Sequence, residues 1–232
     1  TAKSPSQAQQ GNKTELLLLP SKNLAEKLDW NGFKTKKRVV NMGIDTSTFK
    51  PLSKEKAKKE LGLDGFVIGY HGRIAREKDL LTLLRAFKRL GDPNSRLLIV
   101  GDGIPEIKAS LKQRNVILAG KQDDVIPYLN AMDVYVLPSL TETSCLSVME
   151  AMACALPVIS TPVGFVNDYI RDNENGFIFP FRDSYQLYAK LRLLQKQPEL
   201  RESVGKNARS TVSQQFTVGR MKKRISSVLK RY

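Results

Sequence analysis

The sequence predicts an α/β fold, a Rossmann-like doubly wound parallel sheet, on three observations. From Lys54 onward, short β-rich runs alternate regularly with segments of helical spacing. The runs are apolar at successive positions, as strands covered by helices on both faces read. The alternating units have the length of right-handed crossovers between parallel strands. With 232 residues, 41% hydrophobic and 26% charged, the chain holds one large domain or a domain plus part of another. That composition excludes collagen-like, coiled-coil and wholly disordered classes.

Residues 1–13 are rich in Ser, Gln and Lys and are expected to be disordered. An apolar piece, Leu16 to Leu19, ends at Pro20. Ser21 then offers a cap for a helix through about Leu28, and Lys37 to Met42 reads as extended. Strands are expected at Phe66–His71, Arg96–Val100, Val116–Ala119, Val134–Leu137, Val158–Thr161 and Phe177–Phe179. Between the first two, Leu80, Leu83, Leu84, Phe87 and Leu90 fall at helical spacing. Two long helices follow, from about Asp183 to Lys196 and from Pro198 to Gln215. A last one follows Gly219, with Met221, Ile225, Val228, Leu229 and Tyr232 on one stripe. Arg220, Lys222, Lys223, Arg224, Lys230 and Arg231 give that helix six cations and no acid. The chain thus divides into 1–13, 14–50, 51–216 and 217–232.

The net charge of +15 raises the question of a nucleic-acid partner. Residues 51–181 carry equal numbers of basic and acidic side chains, so the excess lies at the two ends. A neutral core without aromatic and basic residues interleaved argues against nucleic acid. The basic ends suit an anionic membrane face, an acidic ligand or a partner domain. Cys145 and Cys154 are too few for a disulfide scaffold and no Cys/His cluster offers a metal site, so a reducing cytoplasm is expected. The opening residues lack a signal peptide's apolar segment, and no run is long enough to span a bilayer.

In such sheets ligands bind beyond the carboxyl ends of the strands. After the Phe66–His71 run, Gly72 permits close backbone approach, and Arg73 and Lys78 place two cations beside a helix start. That pairing suits a diphosphate, with Arg as a forked donor and Lys as a point charge; a solvated loop of ordinary charge reads equally well. Gly101-Asp102-Gly103 reads as a tight turn, and a nucleobase could lie against Gly120 and Lys121. The segment from Pro138 to Ala153 is the richest. Were Glu142 and Glu150 both helical, eight positions would separate them by roughly 12 Å. A carboxylate pair working on one glycosidic bond needs about 5–9.5 Å, so the two suit different hydroxyl groups of one elongated ligand. Backbone N–H groups of Thr143, Ser144, Cys145 and Leu146, at a helix N-terminus, would hold an anion between them. Glu150 sits among Val148, Met149, Ala151 and Met152, where burying a lone carboxylate is costly. His71 lacks a partner at catalytic spacing and reads as structural. Cys145 lacks an activating histidine and reads as a small loop residue.

Taken together, these pieces resemble glycosyltransferase family 4, the retaining GT-B enzymes that use nucleotide-sugar donors. The resemblance runs from about Asn41 to Tyr232. It is carried by Asn41-Met42-Gly43-Ile44-Asp45 with Phe49, Gly72-Arg73 with Glu77-Lys78, and Val100 to Gly103. Ala131 to Ser139, the E-x7-E pair Glu142 and Glu150, Ala151 to Val158, and Asn175-Gly176 complete it. The ordered set is specific where each piece alone is weak.

The resemblance implies that Arg73 and Lys78 neutralise the departing diphosphate, that Glu150 holds the ribose hydroxyls and that Glu142 contacts the transferred sugar. It implies catalysis without a cofactor or metal, since cations and a helix dipole take the place of a divalent ion. It also implies that 14–50 is a remnant of an N-terminal domain with its linker, and that 51–216 is the donor-binding half of a GT-B fold. The expected reaction moves a hexosyl group from the nucleotide-sugar to a glycan, lipid-linked or other hydroxyl acceptor. Acceptor binding belongs to the missing N-terminal domain, so the chain is expected to be inactive alone. The other reading is a nucleotide-sugar-binding or regulatory module without turnover. Three departures stand out: Thr143-Ser144-Cys145 where glycines are frequent, Ala155 for a glycine, and Phe165 after Gly164.

Overall fold

The computed structural model describes residues 14–230. The expected disorder of 1–13, and the expected places of Arg231 and Tyr232 in the final basic stripe, lie outside the described residues.

Strands β1 (Leu16–Leu19) and β2 (Lys36–Val39) pair in parallel, joined by helix α1 (Lys22–Trp30). Ser21 caps α1 as the sequence predicts, its Oγ accepting from the Leu24 N–H at 3.2 Å. The helix continues to Trp30 rather than stopping near Leu28, because Asn31 closes it by donating backbone N–H to the Lys27 carbonyl. The extended stretch expected over Lys37 to Met42 is ordered as a strand only from Lys36 to Val39.

The main sheet comprises β3 (Phe66–His71), β4 (Ser95–Val100), β5 (Val116–Gly120), β6 (Val134–Leu137), β7 (Val158–Ser160) and β8 (Phe177–Ile178). All neighbours are parallel and the spatial order is β5-β4-β3-β6-β7-β8. Strand ends differ by a residue from the sequence reading. Thr161 and Phe179 fall just past β7 and β8, while β5 extends to Gly120, whose φ of +71° turns the chain there.

Crossovers are made by α3 (Leu80–Leu90), α4 (Pro105–Leu111), α5 (Ile126–Ala131), α6 (Leu146–Ala153) and the short α7 (Val166–Tyr169). Helix α2 (Lys54–Glu60) precedes the sheet, and α8 (Ser184–Lys196), α9 (Pro198–Gln215) and α10 (Val218–Leu229) follow it. On α3 the periodic set buries Leu80, Leu83, Leu84 and Phe87, and Gly91 ends the helix at φ +65°. The predicted limits of α9 match. Helix α10 begins at Val218, ahead of Gly219, because Thr217 Oγ1 accepts from the Arg220 N–H and caps it.

The core lies on both faces of the sheet. Val67, Ile68, Leu97, Ile99, Val134 and Val136 are fully buried, as are Val148, Met149 and Met152 of α6. Each such side chain contributes roughly 1.5–3 kcal/mol. At the amino end of β6, Asp133 accepts from Lys54 Nζ at 3.0 Å, Lys58 Nζ at 2.6 Å and the Val67 N–H at 2.8 Å, fastening α2 to the sheet. The segment before α2 is stitched to the far end of the chain, Ile44 N–H donating to the Phe216 carbonyl and Val218 N–H to that of Ile44. Because β3 and β6 are neighbours whose crossovers run in opposite directions, their outgoing loops part between them. A crevice opens there.

Candidate functional site

Two cavities occupy the crevice beyond the carboxyl ends of the strands, about 400 and 300 Å³ in volume. His71 and Gly72 form a wall common to both. Gly72 has φ +142°, and the next strand's loop comes close to it: a Cβ on Gly101, at φ +138°, would lie 2.0 Å from the Gly72 carbonyl oxygen. The Gly101-Asp102-Gly103 turn is thus a tight turn, as read from the sequence, and one that packs directly on the Gly72 loop.

The larger cavity gathers Gly72, Lys78, Glu142, Thr143, Ser144, Cys145, Leu146 and Glu150. The smaller is lined by Gly72, Arg73 and Lys121, with Val100, Gln122 and Val125 supplying much of its remaining wall. Gly120 stands at the end of β5, directly before Lys121. Every residue singled out from the sequence therefore falls at this edge, and most fall in one cavity.

The two cations are engaged by acids. Lys78 Nζ donates to Glu142 Oε1 at 2.5 Å, with both side chains 15% exposed. Ser139 Oγ donates to the same oxygen at 2.9 Å, and Thr161 Oγ1 donates to the Ser139 carbonyl at 2.5 Å. The loops themselves are tied by the Leu140 N–H donating to the Glu77 carbonyl. Arg73 instead leans outward, 74% exposed, with Nη2 2.7 Å from Glu77 Oε1. It stands at the rim of the smaller cavity and does not line the larger.

The helix N-terminus read over Thr143 to Leu146 is found there, and Glu142 lies ahead of the helix that carries Glu150. Helix α6 starts at Leu146, so Glu142, Thr143 and Ser144 form the loop before it and Cys145 is its N-cap. The physical reason is backbone geometry: Cys145 sits at φ +48°, a left-handed turn that no helix passes through. The amide dipoles of α6 still point their positive end into the larger cavity. Cys145 is buried, its Sγ 3.6 Å from the Val163 carbonyl, and burial pushes its thiol up to about 12. It is no thiolate nucleophile at neutral pH.

Along α6, Val148, Met149, Ala151 and Met152 all turn into the core. Glu150 turns the other way, into the cavity, with its side chain 19% exposed. The carboxylate is spared burial among the apolar residues that flank it in sequence. Glu150 Oε2 lies 2.9 Å from His71 Nε2, but out of hydrogen-bond alignment, which leaves Nε2 buried and without a bonded partner. Tyr135 OH donates to the His71 carbonyl at 3.2 Å; burial holds this phenol, and that of Tyr70, well above the ordinary range.

Sequence reasoning missed the support beneath these groups. Ser139 and Thr161 orient Glu142, yet an isolated hydroxyl carries no spacing signal. Gly164 (φ +53°) lies under the Glu142 loop, where a Cβ would come 2.7 Å from the Thr143 carbonyl oxygen and 2.9 Å from that of Glu142. The Thr-Pro-Val-Gly run signals a turn there, but not what it would touch.

The family model for glycosyl transferases group 1 matches residues 53–211. The chain is 31% identical over 221 residues to the putative teichuronic acid biosynthesis glycosyltransferase TuaC of Bacillus subtilis (strain 168), covering 93% of this chain and 55% of that protein. It spans about half the length of the curated relatives it matches. Among solved structures, Anabaena HepE in complex with UDP superposes with a TM-score of 0.90 at 21% identity, over 96% of this chain and 65% of HepE. At that identity the likeness establishes the fold, that of GT-B glycosyltransferases. The C-terminal domain of the glycosyl transferase group 1 family protein LpcC from Francisella tularensis superposes with a TM-score of 0.70 at 26% identity, over 76% of this chain and all of that domain.

Proposed function

The chain belongs to the glycosyl transferases group 1, and on that footing we propose that it is the C-terminal, nucleotide-sugar-binding half of a retaining family 4 enzyme. The observation that carries the reading is the convergence of Lys78, Glu142 and Glu150, from two loops and a helix, on one cavity at the sheet's reversal point.

In this reading the donor's base lies in the smaller cavity against Gly120 and Lys121, its ribose hydroxyls bind Glu150, and its diphosphate spans the wall at Gly72. Lys78, Arg73 and the amide end of α6 at Thr143 to Leu146 neutralise the charge that gathers on the diphosphate as the bond to the sugar breaks. Glu142 accepts hydrogen bonds from the transferred hexose. Two cations and a helix end supply the positive charge, so the proposal routes no step through a metal. HepE's complex with UDP and the full coverage of the LpcC C-terminal domain support the reading.

Transfer needs donor and acceptor held together in a cleft that excludes water, and this chain provides one wall of it. The glycan, lipid-linked or other hydroxyl acceptor is then met by an N-terminal domain, of which β1, α1 and β2 are the remnant. We further propose peripheral attachment to the cytoplasmic membrane face. Arg220, Lys222, Lys223 and Arg224 of α10, and Lys230 just past its end, are all exposed in a span without an acid, and no helix among the described residues is long and apolar enough to cross a membrane.

Calorimetric titration of UDP, GDP, ADP and their sugars into the 232-residue chain tests the proposal. Binding of one nucleoside diphosphate family, without turnover of its sugar, is the expected result. Failure of all of them to bind would overturn the reading. Transfer by the chain alone at ~1 s⁻¹ or faster would overturn its division of labour.

A further inference from the structure

His71, the chain's one histidine, holds a position that neither its sequence context nor the donor-binding roles above explain. It ends β3, forms part of the wall shared by the two cavities, and its side chain is only 12% exposed. Its ring is held from behind by Tyr135, whose ring centroid lies 5.6 Å away at 57° and whose hydroxyl donates to the His71 carbonyl. Held in this way, Nε2 meets the Glu150 carboxylate at 2.9 Å. Among the described residues, no other basic side chain comes within ion-pair distance of Glu150. Yet the approach is out of line, and Nε2 is buried without a hydrogen-bonded partner. A histidine that only fills the core has its buried nitrogens satisfied, because an unmade bond there is costly. Here a turn of the Glu150 carboxylate would complete the bond.

We propose that His71 is a positioning residue for Glu150: with a nucleotide bound, Nε2–H bonds Oε2 and thereby presents Oε1 to the ribose hydroxyls. The inference rests on the assignment of Glu150 to the ribose. A carboxylate on a helix can swing about its side-chain torsions, and a charge-assisted bond to a held ring removes that freedom as the ligand binds. The histidine then sharpens the preference for a ribose with hydroxyl groups, without touching the sugar itself. It is the counterpart, on the ribose side, of the Ser139 and Lys78 bonds that orient Glu142.

The test is titration of the 232-residue chain with UDP, GDP and ADP and with their 2′,3′-dideoxy counterparts. The readout is the ratio of the two affinities for whichever base binds. His71→Phe keeps a ring against Tyr135 and removes the donor; His71→Gln keeps a donor. The expected result is that the ribose preference falls about tenfold in H71F and is at least partly restored in H71Q, while dideoxy affinities stay within twofold of the unsubstituted chain. Glu150→Gln is titrated alongside and should lose the preference. If E150Q retains it, the assignment of Glu150 to the ribose fails, and this proposal with it. If E150Q loses the preference while H71F keeps it, or if H71F weakens ribose and dideoxy ligands equally, the positioning role alone is overturned.

Discussion

Lys78 Nζ and Glu142 Oε1 meet at 2.5 Å across the point where the sheet reverses direction, joining residues 64 positions apart. In the proposed mechanism one partner belongs to the diphosphate and the other to the sugar. The two groups of the donor must therefore prise this pair apart or bind around it. The resting pair also spares the largely buried ammonium from lacking a counterion in contact.

Replacing Glu142 by Gln should consequently separate the two halves of donor recognition. With its acidic competitor removed, Lys78 is freer to meet a diphosphate, and affinity for the bare nucleoside diphosphate should hold or rise by up to about tenfold, the scale of one hydrogen bond to a charged group. Any extra affinity for the nucleotide-sugar over the diphosphate should disappear. Calorimetry with the two ligands side by side reads both effects; a fall in diphosphate affinity would contradict the competition and show instead that Glu142 holds Lys78 in place for the diphosphate.

Asp133 should control the acid limit of stability. Burial alone would raise its carboxyl, but Lys54, Lys58 and the Val67 N–H outweigh that and hold it below the ordinary aspartate range. A depressed folded value contributes stability that is present above the unfolded value of about 3.9 and is lost as pH falls through the folded one. Asp133→Ala should cost about 3–5 kcal/mol near neutral pH, since it takes the counterion from the largely buried Lys58 and the acceptor from the buried Val67 N–H. The gap between the two proteins should narrow below about pH 4. Urea denaturation at pH 7 and pH 3.5 measures it, and an equal gap at both would refute the linkage.

Cys145 should resist alkylation. A thiol pushed up to about 12 and buried against the Val163 carbonyl offers almost no thiolate at pH 8. Iodoacetamide should label it at least a hundredfold more slowly than free cysteine. Prompt modification, followed by peptide mass mapping, would show that the loop before α6 opens readily.

The basic helix α10 should bind anionic bilayers. Each Lys or Arg near such a surface contributes about 1 kcal/mol, so changing Lys222, Lys223 and Lys230 together to Gln should weaken co-sedimentation with phosphatidylserine vesicles at least tenfold at low salt. Equal sedimentation of the two proteins would confine α10 to packing on its own domain, where Met221, Ile225 and Val228 are already half-buried.

Much of this architecture could be read from sequence because buried parallel strands are short, apolar and bounded by glycine or polar loops. Phe66–His71 and Val134–Leu137 match residue for residue. Ends set by single hydrogen bonds were less visible, as at Trp30, where the closing bond comes from Asn31. Within the site, charged residues in ordered motifs announced themselves, and the structure collects them. The helix N-terminus over Thr143 to Leu146 was legible too, and only its first residue, Leu146, waited on the backbone of Cys145 at φ +48°. Nor could the sequence show that Arg73 pairs with Glu77 or that His71 faces Glu150, since both depend on where side chains point after packing.

The grip on the diphosphate proposed for Arg73 and Lys78 needs no help from a metal. It is tested most directly by titrating nucleoside diphosphate into the chain and into an Arg73→Ala, Lys78→Ala double variant, both in excess EDTA. Binding by the chain should be left unchanged by chelation. The variant should lose about 1.5–3 kcal/mol for Lys78, with a smaller share from the exposed Arg73. Equal affinity of the two proteins, or binding abolished by EDTA and restored by a divalent cation, would contradict the proposal.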